Sequence, residues 1–213
     1  MRQIKHSCWF SGIAFLFVLG LYGTALGGNL CPKLPDAIPE GTPLSHPPVQ
    51  KIVLGSLSIK FEQTSLQEAK NRIGVGVIQH IGDGGDSTDF LCYHTRSSGR
   101  FSLDSGEMYA SDHLIYSVNG GFDAGSGKSA DCPELPARFQ PVSLDGWLWV
   151  GTSANQLKKR LGPPSAQKDG WLFYSYRGKT RIRDKMFDRG VDLMVCMRDG
   201  KVAQLSVTHL TTD

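Results

Sequence analysis

The 213-residue chain lacks the short motifs that announce an enzyme. No Gly-x-Ser-x-Gly is present, which excludes the strand-to-helix elbow that exposes a hydrolase serine. No Cys-x-x-Cys is present either. His80, His94, His113 and His209 fall in separate segments without two-histidine helical spacing, so a zinc site has no starting ligand set. Gly125-Ser126-Gly127-Lys128-Ser129 ends like a phosphate-binding loop, but Phe122 stands where that loop needs its first glycine, and the stretch reads as a flexible linker. The small residue required for lipobox-type cleavage is missing from Gly28-Asn29-Leu30 ahead of Cys31, which argues against a lipid anchor.

What is there begins with an export signal. Arg2 and Lys5 precede the apolar run Ile13-Ala14-Phe15-Leu16-Phe17-Val18-Leu19-Gly20-Leu21, and small residues follow at Gly23, Ala25, Gly27 and Gly28. Residues 1–28 therefore read as a signal peptide, or as an uncleaved N-terminal anchor, since the stretch from Cys8 to Gly28 has the length of a membrane span. Four cysteines lie beyond it, Cys31, Cys92, Cys132 and Cys196. In an exported chain an even count reads as two disulfides, with three connectivities open. The related contexts Cys31-Pro32-Lys33-Leu34-Pro35 and Cys132-Pro133-Glu134-Leu135-Pro136 favour Cys31–Cys92 and Cys132–Cys196, one bridge in each half.

Charge is divided along the chain. Residues 29–146 carry 9 Lys and Arg against 14 Asp and Glu, whereas residues 147–213 carry 12 against 6. Such an asymmetry steers an anionic partner, an acidic protein face or lipid headgroups, or lets the two halves complement each other; it speaks to association and not to fold. An exported chain has no call for nucleic acid.

Two stretches repeat. Thr64-Ser65-Leu66-Gln67-Glu68-Ala69-Lys70-Asn71-Arg72-Ile73-Gly74 aligns without a gap to Thr152-Ser153-Ala154-Asn155-Gln156-Leu157-Lys158-Lys159-Arg160-Leu161-Gly162. Each copy begins with Ser-x-x-Glu/Gln, a capping-box signature, and ends on a glycine suited to a left-handed stop. Apolar residues at Leu66, Ala69 and Ile73, and at Ala154, Leu157 and Leu161, mark one buried face of a two-turn helix that must pack on a sheet. Strand patterns follow the second copy at 171–176, 191–197 and 202–209, with Asp169-Gly170 and Asp199-Gly200 as tight turns. Looser counterparts lie at 90–94, 100–104 and 114–118.

The motifs Val150-Gly151-Thr152-Ser153, Gln156-Leu157, Leu161-Gly162-Pro163-Pro164, Gly170-Trp171-Leu172-Phe173-Tyr174 and Asp199-Gly200-Lys201-Val202 resemble the SmpA/OmlA outer-membrane lipoprotein family and the related β-lactamase-inhibitory-protein-like fold. The match covers roughly residues 147–208, and the tandem arrangement is similar to the inhibitory proteins. That resemblance implies an α+β fold: two tandem helix-plus-antiparallel-strand units forming one curved sheet, with helices on one face and a protein-binding face opposite. The chain departs from it in the missing lipobox, the four cysteines and the Pro-rich residues 32–48. The expected division is a Pro-rich N-terminal segment at 29–50, a first unit at 51–119, a linker at 120–136 and a second unit at 137–213.

The functional expectation is a non-catalytic, exported protein-binding or envelope-assembly module without a cofactor, its partner a protein in the envelope or outside the cell, with peripheral membrane contact. Aromatic residues supply the expected partner-binding set, Trp149, Tyr174 and Tyr176, because such rings offer a rigid apolar body with a polar tip. Trp171 and Phe173 on the alternate strand positions read as core. Alternative readings are an inhibitor of an exported enzyme, and a hydrolase or calcium-dependent ligand binder using Asp83, Asp86 and His94; Asp83, Asp86 and Asp89 in a Gly-rich turn are oxygen donors of the kind calcium takes, although their spacing fits no established loop.

Overall fold

The computed structural model describes residues 31–35, 37–83, 87–96, 99–106, 112–122 and 132–212. The expected signal segment, most of the expected linker and Asp86 lie outside the described residues. A hairpin of β1 (Lys51–Leu54) and β2 (Leu57–Lys60) leads to helix α1 (Leu66–Ile73). Four strands follow: β3 (Gln79–Ile81), β4 (Thr88–Thr95), β5 (Gly99–Gly106) and β6 (Ser117–Phe122). After β7 (Val142–Leu144) and helix α2 (Ala154–Leu161) come β8 (Ala166–Lys168), β9 (Trp171–Ile182), β10 (Lys185–Arg198) and β11 (Lys201–Thr212). Eight strands form one antiparallel sheet in the order β3-β4-β5-β6-β11-β10-β9-β8, and β2-β1-β7 form a second sheet.

This arrangement overturns the expected α+β fold of two helix-plus-strand units. Among the described residues the structure is mostly β, 51% strand against 12% helical, with two sheets and two α-helices. Moreover β7 pairs with β1, so the small sheet joins residues from both sides of the expected division. Its inward side chains Ile52, Leu54, Leu57, Ile59, Val142 and Leu144 are buried. Strands carrying that apolar face need a second layer, and their signal was invisible in the repeat because they lie outside the duplicated segments. Gly120 and Gly121, expected in the linker, belong to β6.

One face of the large sheet carries the main core. Leu91 and Tyr93 of β4, Phe101 and Leu103 of β5, Val118 of β6, Leu205 and Val207 of β11, Leu193 and Val195 of β10 and Tyr174 of β9 all point there, against the small sheet and the helices. Helix α1 buries the predicted stripe Leu66, Ala69 and Ile73. Helix α2 buries only Leu157, and Ala154 is exposed. The caps form as the sequence indicates. Ser65 Oγ accepts from the Glu68 N–H at 3.1 Å, and Ser153 with Gln156 completes a full capping box. Gly74 takes the left-handed conformation (φ 84, ψ 0). Gly162 does not: its φ is 78 but its ψ is −156, because Pro163 disfavours a helical ψ in the residue before it. Asp169-Gly170 and Asp199-Gly200 have positive φ at both positions, the backbone of two-residue hairpin turns.

The opposite face is covered at its two ends. At one end Cys31, Leu34 and Ile38 lie on Trp171, Phe173, Met194 and Cys196, with Trp171 Nε1 donating to the Pro32 carbonyl at 3.1 Å. At the other end Phe90, Cys92 and Cys132 form a small cluster. The disulfides are Cys31–Cys196 and Cys92–Cys132, which corrects the expected pairing. Strand order gives the reason. Cys92 on β4 and Cys196 on β10 are four strand spacings apart, about 19 Å at the usual inter-strand distance, so each binds whichever segment crosses its own end.

Candidate functional site: a polar recess on the large sheet

Between the two stapled ends the far face is polar, and strand register says why. Ser102 pairs with Asn119, which pairs in turn with Ser206; Asp104 pairs with Ser117, which pairs with Thr208. Neighbours directly opposite in a ladder point to the same side. Each of these residues alternates with a core residue such as Leu103, Val118 or Val207, so three adjacent strands present one polar field.

Asp104 lies on its β5 side, with 7% of its surface exposed. Asn119 Nδ2 donates a hydrogen bond to its carboxylate, and the hydroxyls of Ser102 and Ser117 donate as well. Burial nevertheless pushes Asp104 up to about 6, because these three donors and the nearby Arg100 only partly replace the water it has lost. Tyr116 is raised too, first by burial and then by the negative charge of Asp104. These groups line a cavity of about 330 Å³, with Thr88, Arg100, Phe90 and Ile81 on its remaining sides. A carboxylate has roughly four acceptor positions, so three donors leave Asp104 able to take another from outside. The recess is thus acceptor-centred, edged with hydroxyls and backed by an aromatic ring.

The expected aromatic site does not form. Tyr174 is 2% exposed and Trp149 7%, both inside the main core. Trp149 sits edge-on to Phe101, ring centroids 5.8 Å apart, and lies so close over Gly120 that a Cβ there would come within 2.8 Å of it. Trp149 also lines a cavity of about 440 Å³ with Trp147, Val150 and Gln156. Tyr174 lies on the side of β9 that faces the main core, whereas Trp171 and Phe173 lie on the opposite side, under Cys31, Leu34 and Ile38. Tyr176 is half-buried and its hydroxyl end lies over Gly178 of its own strand.

The calcium or hydrolase set is also dispersed. Asp83 is exposed in a loop, and His94 pairs with the residue 132–135 segment through its backbone. Asp89 is engaged by histidines: His80 Nδ1 hydrogen-bonds its Oδ1 at 2.9 Å, and His113 Nδ1 lies 2.9 Å from Oδ2 but off the line a hydrogen bond needs. Among the described residues no group of three or more His, Cys, Asp or Glu could hold a metal. Asp104 and Asn119 were missed in the sequence reading. The available signal was the alternation Arg100-Phe101-Ser102-Leu103-Asp104, which puts three polar residues on one side of a strand.

No protein-family model, curated protein or solved structure matches this chain. The two disulfides fit an oxidising, exported location. Among the described residues no helix is long and apolar enough to cross a membrane.

Proposed function

We propose that this protein is a non-catalytic binding module of the cell envelope, which holds a protein partner against the polar recess over β3 to β6 of its large sheet with Asp104 as the point of specificity. The observation that carries this reading is the cost of Asp104. A carboxylate driven up to about 6 by burial weakens the fold at neutral pH, so its place on the wall of a cavity with an acceptor position open supports a use other than stability. Sheet faces ordinarily cover or solvate such a group. Here two disulfide-bound segments cover the ends of the face, and the cavity opens beside them over β3 to β6. A donor group of a partner, the ammonium of a lysine or the fork of an arginine, completes the shell of the carboxylate and restores its charge. Ser102 and Ser117 hydroxyls both donate to Asp104, a positioning role and not that of an activated nucleophile.

Asp104→Asn keeps the shape and removes the charge, while Thr208→Arg fills the half-buried centre of the face from β11. Cross-linked capture from envelope extract should recover one partner with the parent chain, markedly less with Asp104→Asn, and none with Thr208→Arg. Recovery of the same proteins in equal amount by all three chains, each shown folded by its circular dichroism, overturns the reading.

A further inference from the structure

The β9–β10 hairpin runs past everything that borders it. On one side β10 is paired with β11 only as far as Asp188↔Thr212. On the other, β8 pairs with β9 at Trp171, Leu172 and Phe173, and Leu44 bridges Tyr176. Among the described residues no strand pairs with the outer edge of β9 beyond that bridge. From Thr180 to Phe187 the two strands therefore pair, among the described residues, only with each other, and the ribbon is closed by Arg183, whose φ is 54, and Asp184.

The composition of this ribbon is unlike the rest of the sheet. Residues 177–189 contain Arg177, Lys179, Arg181, Arg183, Lys185 and Arg189 against Asp184 and Asp188. Two of the cations are paired, Lys179 with Asp188 at 2.7 Å and Arg177 with Asp192 at 2.8 Å. At the very end stand two large apolar side chains, Ile182 (48% exposed) and Met186 (54% exposed). Exposed apolar side chains, each flanked by a cation, make the tip amphipathic, and register decides what it suits. Ile182 is opposite Lys185, and Met186 is opposite Arg181, so the two apolar groups project from opposite sides of the ribbon, each beside a cation. A protein surface docking on a ribbon covers one side of it. A boundary that surrounds the tip, acyl chains below and phosphates above, receives both sides at once.

We propose that the end of the β9–β10 hairpin is a docking element for an anionic lipid bilayer, with Ile182 and Met186 entering the headgroup boundary and Arg181, Arg183 and Lys185 meeting the phosphates. This surface is separate from the Asp104 field: it is made by β9 and β10 beyond the stapled end and shares no residue with the cavity. One function does not require the other.

Co-sedimentation of the oxidised chain with vesicles tests this directly. Vesicles of phosphatidylglycerol mixed with phosphatidylcholine should carry the protein down, and pure phosphatidylcholine vesicles should carry at least tenfold less. Binding should fall steeply between 0.05 and 0.5 M salt, in line with a Debye length that shrinks from roughly 14 to 4 Å. Ile182→Asp with Met186→Asp should lose at least tenfold, although it leaves every cation in place; Arg181→Glu with Arg183→Glu should lose as much. Both pairs are exposed and far from the core, so folding is retained. The proposal is overturned if the parent ignores the anionic vesicles, or if it binds them and the Asp pair binds equally well. It is also overturned if immobilised poly-glutamate retains parent and Asp pair alike while vesicles retain neither, which would assign the ribbon to an acidic protein.

Discussion

At the β4 edge of the large sheet, β3 pairs with the first half of the strand and the chain around Glu134 bridges to His94 beyond it. At the β9 edge, β8 pairs with the start of the strand and Leu44 bridges to Tyr176. Both edges are thus blunted by a three-residue strand and a Pro-flanked segment, and both segments are tied down by a disulfide on the same face. An exposed ladder invites unwanted pairing, so edges finished this way are expected of a stable monomeric sheet. The difference is in length and chemistry. β4 ends where its cover ends and its flank holds a polar cavity, whereas β9 outruns its cover and ends in a basic ribbon tipped with apolar groups. Shared devices hold the sheet together, and what exceeds them is where function is sought.

The largest break of this comparison comes from the staples. Cys31–Cys196 closes a separation of 165 residues and Cys92–Cys132 one of 40. By loop entropy their loss costs about 5 and about 4 kcal/mol respectively. Cys31→Ser with Cys196→Ser should therefore lower the urea midpoint more than Cys92→Ser with Cys132→Ser. Equal losses would mean that local packing, and not chain closure, sets their worth.

Next in size are the apolar clusters beneath the staples. Trp171 is 1% exposed and also donates to Pro32; Phe90 is 9% exposed in a cluster with only the two cysteines. Truncation of such rings costs about 3–5 kcal/mol, so Trp171→Ala should fall at the top of that range and Phe90→Ala at the bottom. Limited proteolysis separates a local from a global effect: Trp171→Ala should free residues 31–44 for cleavage, and Phe90→Ala should leave them protected.

The third comparison sets two buried titrating groups of the large sheet against each other, one on each face. Asp104 is raised to about 6 by burial, so the folded chain takes up a proton before the unfolded chain does. Its contribution becomes more favourable as pH falls from about 6 to 4, by about 3 kcal/mol at most. His209 is the reverse. It is fully buried, stacked on Phe61 with centroids 4.1 Å apart, and held down to about 3 by burial and then by Arg189. Its neutral form supports the fold, and that support is lost as pH falls from about 6.5 toward 3. In the parent the two slopes oppose. Asp104→Asn should stabilise the chain by about 2 kcal/mol at pH 7.5, and then expose an uncompensated loss of stability below pH 6 in urea midpoints measured against pH. A variant that keeps the parent's shallow pH profile would remove Asp104 from this role.

Much of this was legible in residue order, and what was not had a physical reason. The caps at Ser65 and Ser153, the stripe Leu66, Ala69 and Ile73, and the turns at Asp169-Gly170 and Asp199-Gly200 are local and were read from local signals. The disulfide pairing depends on which strands neighbour which, and no local signal carries strand order. The choice of Tyr174 over Trp171 for the open side failed for a related reason: alternation assigns residues to two sides of a strand but does not say which side receives the second layer. That layer is β1, β2 and β7, whose apolar residues went unread. Asp104 was hidden because a single carboxylate in a strand looks like any solvated charge until its neighbours on β6 and β11 are known.

The smallest effect separates the two helices. Gly74 and Gly162 both have positive φ, and a Cβ at Gly162 would meet nothing within 4 Å, while one at Gly74 would meet only Arg138 at 3.9 Å. Substitution by alanine at either site therefore reports backbone strain and not collision. At Gly74 the conformation is the ordinary left-handed one, and alanine should cost about 1 kcal/mol. At Gly162, φ 78 with ψ −156 belongs to a region open to almost no residue but glycine, so alanine should cost nearer 2 kcal/mol. Part of that cost should stay local. Helix α2 buries one side chain where α1 buries three, so fraying its last turn sacrifices little packing. Hydrogen exchange of the Gly162 amide, which donates to the Lys158 carbonyl at 2.9 Å, should quicken in Gly162→Ala by more than the change in global stability predicts. In Gly74→Ala the corresponding amide, bonded to Lys70 at 2.8 Å, should follow global stability, because α1 cannot fray without uncovering Ile73.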